Sequence, residues 1–150
     1  MCERRYQLGE QWYNLRPDAL AEYRMGQQCT RFWLELDRGS MNVRDLAIKF
    51  TSYAHYIASR EWAREHSMLP GLICIAPAIA QERRVQRVAL ARLKQCTGLE
   101  VWTTTEVLFL EHGPLSPVWI QVLLQRDQAA KPGSVSRQCV FPTNPAKKGI

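Results

Sequence analysis

The chain has 150 residues, of which 46% are hydrophobic and 23% are charged, and its formal net charge is +6. This length and composition are typical of one folded domain, and they exclude a chain that is disordered throughout. No apolar run approaches the length of a membrane span, so we expect no membrane association.

The positive charge is concentrated at the carboxyl end, with a net charge of +4 from Gln125 onward and only +2 over residues 1–124. Small residues, prolines and lysines in the later stretch predict a flexible basic tail over residues 125–150. The preceding residues, 1–124, are predicted to form one α/β domain. Because most of the charge belongs to the tail, the net charge does not by itself identify the folded part as nucleic-acid-binding.

The cysteines are odd in number and widely spaced, and none forms a CxxC pair: they are Cys2, Cys29, Cys74, Cys96 and Cys139. This pattern excludes a disulfide framework and a common zinc motif. The sequence after Met1 also lacks the apolar stretch of a signal peptide. We therefore expect a cytoplasmic protein.

No clear pattern is visible in residues 1–14. A short strand is predicted over Ala19–Tyr23, and a second strand begins at Arg31 after a turn, so the two form a predicted antiparallel hairpin. The second strand alternates strictly, which places one set of side chains on each face. One face carries Phe32, Leu34 and Leu36, and the other carries Trp33, Glu35 and Asp37.

A helix is predicted from about Asn42 to Glu65, with Asn42 and Asp45 forming a capping arrangement at its start. The continuous apolar run Leu72–Ala76 is typical of a strand buried on both faces. A second helix is predicted from about Ile79 to Gln95, and another strand over Leu99–Thr104. Alternating strands and helices predict parallel crossovers that cover an α/β sheet.

The pattern is weaker toward the carboxyl end of the domain. Val107–Leu110 and Val118–Leu124 are apolar runs that fit a short helix followed by a closing strand or helix. In the second predicted helix, basic residues line the faces that the apolar stripe leaves free: Arg83, Arg84, Arg87, Arg92 and Lys94. These residues suit either phosphate contacts or a solvated helix face.

Lys49 lies at the edge of the apolar stripe of the first predicted helix. A helix that packs on its own strand would direct this amine toward Glu35 and Asp37, and Asp18 comes from the neighbouring strand. Carboxylates hold the divalent metals that cleave phosphodiesters, and a nearby cation orients water or neutralises charge at phosphorus. Alternatively, Glu35 and Asp37 form a solvated strand face, and Lys49 is an ion-pair partner for one of them.

Two sequence segments resemble known proteins. Pro17-Asp18, Glu35-Leu36-Asp37 and a lysine on the next helix resemble a variant PD-(D/E)XK nuclease motif. More closely, LRPDALAEY followed by RFWLELDRGSMNVRDLAIKFTSYAHY is similar to the replication-relaxation family of bacterial plasmids and mobile elements. That similarity spans about residues 15–120 and includes the K-x3-Y pair of the family, here Lys49 and Tyr53.

The resemblance implies a restriction-endonuclease-like core, in which a small mixed sheet is flanked by helices. It implies a DNA-binding role in plasmid replication or DNA relaxation, with cleavage that depends on Mg²⁺ or Mn²⁺. Asp18 and Glu35 match the metal-binding acids, and Asp37 stands where the motif has its lysine. Lys49 would then replace that lysine from the helix, and Asp37 would be a further metal ligand or a support for the two acids.

DNA is the expected partner, together with replication or mobilisation proteins, and the chain is compatible with an oligomer. The alternative function is a catalytically inactive, nuclease-like module that acts as a scaffold in a replication or mobilisation complex.

Overall fold

The computed structural model describes residues 3–124 and 136–141. In this part of the chain, the fold is a five-stranded mixed sheet with a separate two-stranded hairpin and three α-helices. The strands are β1 (Arg4–Leu8), β2 (Gln11–Leu15), β3 (Ala19–Met25), β4 (Gln28–Leu36), β5 (Gly71–Ala76), β6 (Val101–Thr105) and β7 (Ile120–Val122). The helices are α1 (Val43–Ser59), α2 (Ile79–Leu93) and α3 (Glu106–His112).

The strand order in the sheet is β3-β4-β5-β6-β7. The three central strands are parallel, while β3 and β7 pair antiparallel at the two edges. Helices α1 and α2 are the two crossovers between the parallel strands. The predicted hairpin of β3 with β4, the parallel crossovers and the mixed α/β class are therefore confirmed.

The sheet is covered on both faces, because its strands alternate apolar side chains between two cores. One core lies under α1, α2 and the β1–β2 hairpin. The other core includes part of α3 and the segment 136–141. Representative buried residues are Trp33, Phe50, Tyr53, Leu72, Val85 and Leu93 in the first core, and Phe32, Ile73, Trp102, Trp119 and Phe141 in the second.

The β1–β2 hairpin occupies the stretch for which the sequence predicted no element. Tyr6 pairs with Tyr13 across the hairpin, and Gly9 supplies the positive φ of the turn. Tyr6 is only 1% exposed, and its hydroxyl donates to the Ser52 carbonyl oxygen on α1 at 3.0 Å. The hairpin is therefore packed against α1 by aromatic side chains.

Helix α1 begins as predicted, with the Asn42 side-chain oxygen accepting a hydrogen bond from the Asp45 amide at 2.9 Å. It ends at Ser59, six residues before the predicted Glu65, because Arg60 adopts a left-handed conformation with φ 59°. A short 3₁₀ turn, Glu61–Arg64, follows. The run Val118–Leu124 closes the sheet as strand β7, not as a helix.

Part of the predicted basic tail is described, and the remainder, 125–135 and 142–150, lies outside the described residues. Phe141 is 8% exposed and packs among Tyr23, Phe32 and Trp119. Trp119 and Gln138 exchange backbone hydrogen bonds. Residues 136–141 are thus attached to the sheet.

Arg137 anchors this segment through the buried carboxylate of Glu82 on α2. Its guanidinium donates to both carboxylate oxygens, at 3.1 and 2.7 Å, and to the Val118 carbonyl oxygen at 2.7 Å. Thr103 donates a further hydrogen bond to Glu82 at 2.9 Å. The described helices include none with the length and apolarity of a membrane span.

We predict that Arg137→Ala lowers the free energy of unfolding by about 3 kcal/mol or more, because it leaves the buried Glu82 carboxylate without its cation. The measurement is urea unfolding followed by circular dichroism. Arg64→Ala is the control, since Arg64 forms an exposed pair with Glu61 and its loss should cost less than about 1 kcal/mol.

The double variant Glu82→Gln/Arg137→Ala should be less destabilised than Arg137→Ala alone, because no buried charge remains. Equal stabilities for Arg137→Ala and Arg64→Ala would show that the segment is not held by this ion pair.

Candidate functional site

The candidate site lies at the sheet edge where β4 ends and β3 begins. Ala19 pairs with Leu34 in the antiparallel register, so Asp18 is next to Glu35 across the two strands. The Asp18 amide donates to the Leu34 carbonyl oxygen at 3.0 Å, and its Oδ2 accepts from the Leu36 amide at 2.7 Å. The register therefore brings together the two acids that the sequence singled out.

Helix α1 adds a lysine and a tyrosine to these acids. Lys49 and Tyr53 are four residues apart, so both side chains project from the same face of the helix. The Lys49 ammonium forms an ion pair with Glu35 Oε2 and lies 4.0 Å from Asp18 Oδ2. The Tyr53 hydroxyl donates to Glu35 Oε1 at 2.5 Å. Lys49 thus bridges the two carboxylates.

Glu35 is 3% exposed, under α1. Burial raises the pKa of Glu35 to about 7. The charge and hydrogen bond of Lys49 and the hydrogen bond of Tyr53 act in the opposite direction and lower this pKa. Burial, with the nearby Glu35 charge, raises the pKa of Tyr53 well above its ordinary value, so the hydroxyl stays protonated as a donor. A carboxyl group with a pKa near neutrality can take up or release a proton under physiological conditions.

Asp37 follows β4 on the same side of the chain as Glu35, and it is 6% exposed. Its Oδ1 accepts from the Gly39 amide at 2.8 Å, while its Oδ2 is buried without a hydrogen-bond partner. Its amide donates to the Ile75 carbonyl oxygen at 2.9 Å. The observed role of Asp37 is to hold the turn between β4 and α1, and its predicted role as a metal ligand stays a prediction.

The carboxylates of the site can be compared with the ligands that a divalent metal requires. Among residues 3–124 and 136–141, no three His, Cys, Asp or Glu side chains converge in a metal-binding arrangement. Mg²⁺ in phosphate-processing sites is often held by only one or two carboxylates, with waters and phosphate oxygens completing the shell. Asp18 and Glu35 supply that number of carboxylates, and a metal would replace Lys49 or Tyr53 at the Glu35 oxygens that these residues engage.

The alternative interpretation was a solvated strand face with Lys49 as an ion-pair partner. The ion pair of Lys49 with Glu35 is present, but Glu35 and Asp37 are buried, which argues against a solvated face. Sequence reasoning missed the contact between Tyr53 and Glu35, for which the i, i+4 spacing of Lys49 and Tyr53 was the available signal. It also missed a surface groove of about 420 Å³ beside Lys49. That groove is lined by Asn14, Leu15, Arg16, Asp45, Ile48, Lys49 and Ser52.

We predict that the free energy of unfolding falls by roughly 3 kcal/mol between about pH 4.5 and 7 in the wild type relative to Glu35→Gln. The folded pKa of Glu35 lies above its unfolded value, so the folded state binds the extra proton in this window and loses stability as pH rises. Urea unfolding across the pH range measures the difference.

Glu111→Gln, which removes an exposed carboxylate, is the matched control. A difference between the wild type and Glu35→Gln that is flat with pH, or that grows in favour of the wild type as pH rises, would contradict the raised pKa.

We compared the chain with known proteins. No curated protein and no solved structure gives a significant match to it. A family model does match, over residues 2–72. The sequence resemblance indicated residues 15–120, so the matched range ends earlier in the chain than that prediction. The matching model is that of the Replication-relaxation family, and the matched range contains Asp18, Glu35, Lys49 and Tyr53.

Proposed function

We propose that the protein acts on DNA in the replication of a plasmid or mobile element, and that Asp18, Glu35 and Lys49 form a metal-dependent phosphodiester-cleaving site. The observation that carries this proposal is the bridge that Lys49 makes between the two carboxylates at the sheet edge. The bridge lies entirely within the residues that match the Replication-relaxation model.

The arrangement of the site also supports a restriction-endonuclease-like interpretation of the core. Asp18 directly precedes β3, and Glu35 lies near the end of the adjacent antiparallel strand β4. Asp37 takes the place of the motif lysine, and its side chain turns to the Gly39 amide. Lys49 reaches the acids from α1, so a cation is present although its position in the sequence has changed.

Each residue has a distinct role in this proposal. Asp18 and Glu35 would hold Mg²⁺ or Mn²⁺, with Asp37 as a support or a further ligand. When bound, such a metal neutralises charge on a phosphate and makes bound water more acidic. Lys49 contacts a phosphate oxygen or orients water, and Tyr53 fixes the position of the Glu35 carboxylate. In this proposal the backbone of the substrate lies along the groove that Lys49 helps to line.

A second candidate function is a catalytically inactive scaffold that binds DNA and replication or mobilisation proteins. The observation that favours it is that Lys49 and Tyr53 already engage the two oxygens of Glu35. An amine in this position can neutralise Glu35 without a metal, as in a purely structural ion pair. The two functions differ in metal binding, which can be measured directly.

We predict that the wild type binds Mn²⁺ in titration calorimetry and nicks supercoiled plasmid in the presence of Mn²⁺ or Mg²⁺. Asp18→Asn and Glu35→Gln should each lower the cleavage rate by roughly 100-fold or more, because each removes a proposed metal-ligand charge. Glu22→Gln is the matched control, since Glu22 also lies on the β3–β4 hairpin but pairs with Arg24 and Arg31.

Cleavage that persists in both site variants would rule out the catalytic assignment. A wild type that binds DNA but shows neither Mn²⁺ binding nor cleavage would support the scaffold function instead.

A further inference from the structure

Helix α2 carries a row of cations that the candidate site does not use. Four exposed basic side chains belong to this helix or its carboxyl-terminal cap. Three of them, Arg83, Arg87 and the cap residue Lys94, form the row, because they lie within about 40° of one another around the helix axis, whereas Arg92 projects from the opposite side. The fifth, Arg84, is half-buried and donates to the Met41 carbonyl oxygen at 3.2 Å. The one acid of the helix, Glu82, is buried against Arg137. The exposed surface of α2 is therefore basic without an acidic residue of its own.

A solvated helix face normally places acids three or four residues from its cations, where they form favourable pairs. None of the positions at that spacing from the four exposed cations of α2 is Asp or Glu. Within the described ranges, no ion pair includes any of these four residues.

The arrangement is also unfavourable for the helix itself. Arg83 and Arg87 are like charges at i, i+4, which destabilise a helix by roughly 0.2–0.5 kcal/mol. The dipole favours Lys94 at the carboxyl end of the helix, so the unfavourable contact is the one between Arg83 and Arg87. The Arg83–Arg87 pair is thus not explained by the stability of α2, and a polyanionic partner would reduce its repulsion.

The row starts at the edge of the sheet where the candidate site lies. Strands β4 and β5 are parallel, so α1 and α2 both begin beyond the carboxyl ends of these strands, at the end of the sheet where Glu35 lies. The hydrogen bond of Arg84 to Met41 ties the start of α2 to the loop that leads into α1. From Arg83 to Lys94 the row extends roughly 16 Å at 1.5 Å per residue. A DNA duplex of that length carries on the order of ten phosphate charges.

We propose that Arg83, Arg87 and Lys94 form a contact surface for the phosphate backbone of double-stranded DNA that is engaged by the candidate site. This inference rests on the proposed function and adds to it the surface that holds the substrate. Guanidinium groups bind phosphate oxygens through paired hydrogen bonds, and a row of them reads the backbone without sequence preference.

An anionic membrane is a less suitable partner for this surface. A helix that lies on a membrane presents an apolar face to the lipid. The apolar stripe of α2 is instead buried in the first core, through Val85, Val88, Ala89 and Leu93. The exposed surface of α2 carries two large apolar side chains, Ile79 and Leu90, among its cations. These two side chains do not form the continuous apolar face of a membrane-bound helix, so the charge of the surface fits a nucleic-acid backbone better.

The test is fluorescence anisotropy of a labelled DNA duplex with the full chain, repeated over a range of NaCl concentrations. The variant is Arg83→Gln/Arg87→Gln. Its control, Arg24→Gln/Arg64→Gln, removes the same net charge at exposed positions that pair with Glu22 and Glu61. Each lost phosphate contact lowers the slope of log affinity against log salt by about 0.9. We expect a slope reduced by about 1.8 and an affinity reduced by about tenfold or more in the variant only.

A second variant, Lys94→Gln, should lower the slope by about 0.9 and gives an independent measurement at the other end of the row. Slopes for both α2 variants that equal the slope of the control would overturn the inference while leaving DNA binding by the protein intact. A wild type that fails to bind duplex DNA would overturn the proposed function and this inference together. Binding to anionic phospholipid vesicles but not to the duplex would overturn the inference in favour of a membrane partner.

Discussion

The contact of Lys49 with Glu35 is the interaction on which the arrangement of the site depends. A carboxylate that is 3% exposed is expensive to bury without a partner, and Lys49 and Tyr53 supply a cation and a donor from consecutive turns of α1. The same contacts fix α1 over β4. Buried ion pairs are often less stabilising than apolar residues of similar size, because both charges lose their hydration. Fold stability alone therefore does not account for a charged pair at this place, which favours the proposed function of the site.

The pairing of strands in the sheet positions Asp18, the second carboxylate of the site. Asp18 reaches Lys49 because β3 pairs antiparallel with β4 in the register that sets Ala19 opposite Leu34. A slip of one residue would turn the β3 side chains to the opposite faces of the sheet. The pairing of Glu22 with Arg31 farther along the same hairpin supports the observed register. The β3–β4 hairpin and the crossover helix α1 are thus sufficient to bring Asp18, Glu35, Lys49 and Tyr53 together.

Local patterns in the sequence predicted much of the fold, because alternation, caps and continuous apolar runs are properties of neighbouring residues. The alternation around Glu35 predicted which side chains share a face, but charged residues on a strand usually indicate solvent, so the burial of that face was not predicted. The β1–β2 hairpin had a signal in Tyr6 and Tyr13 flanking a glycine turn, although its strands are short and half polar. The contact of Arg137 with Glu82 joins residues 55 positions apart, and no local pattern carries such a pairing.

The two faces of the sheet differ in how much of the chain each one needs. Among the described residues, the buried residues of the first core all precede residue 125, whereas the second core includes Phe141. Chains are synthesised from the amino terminus, so the face that carries the candidate site has all of its described buried residues before the opposite face does. During synthesis, Phe32 and Trp119 are therefore added to the chain before Phe141, their aromatic partner in the second core. Until Phe141 is synthesised, Phe32 and Trp119 lack one of their packing partners, so the second core is completed after the core under the candidate site.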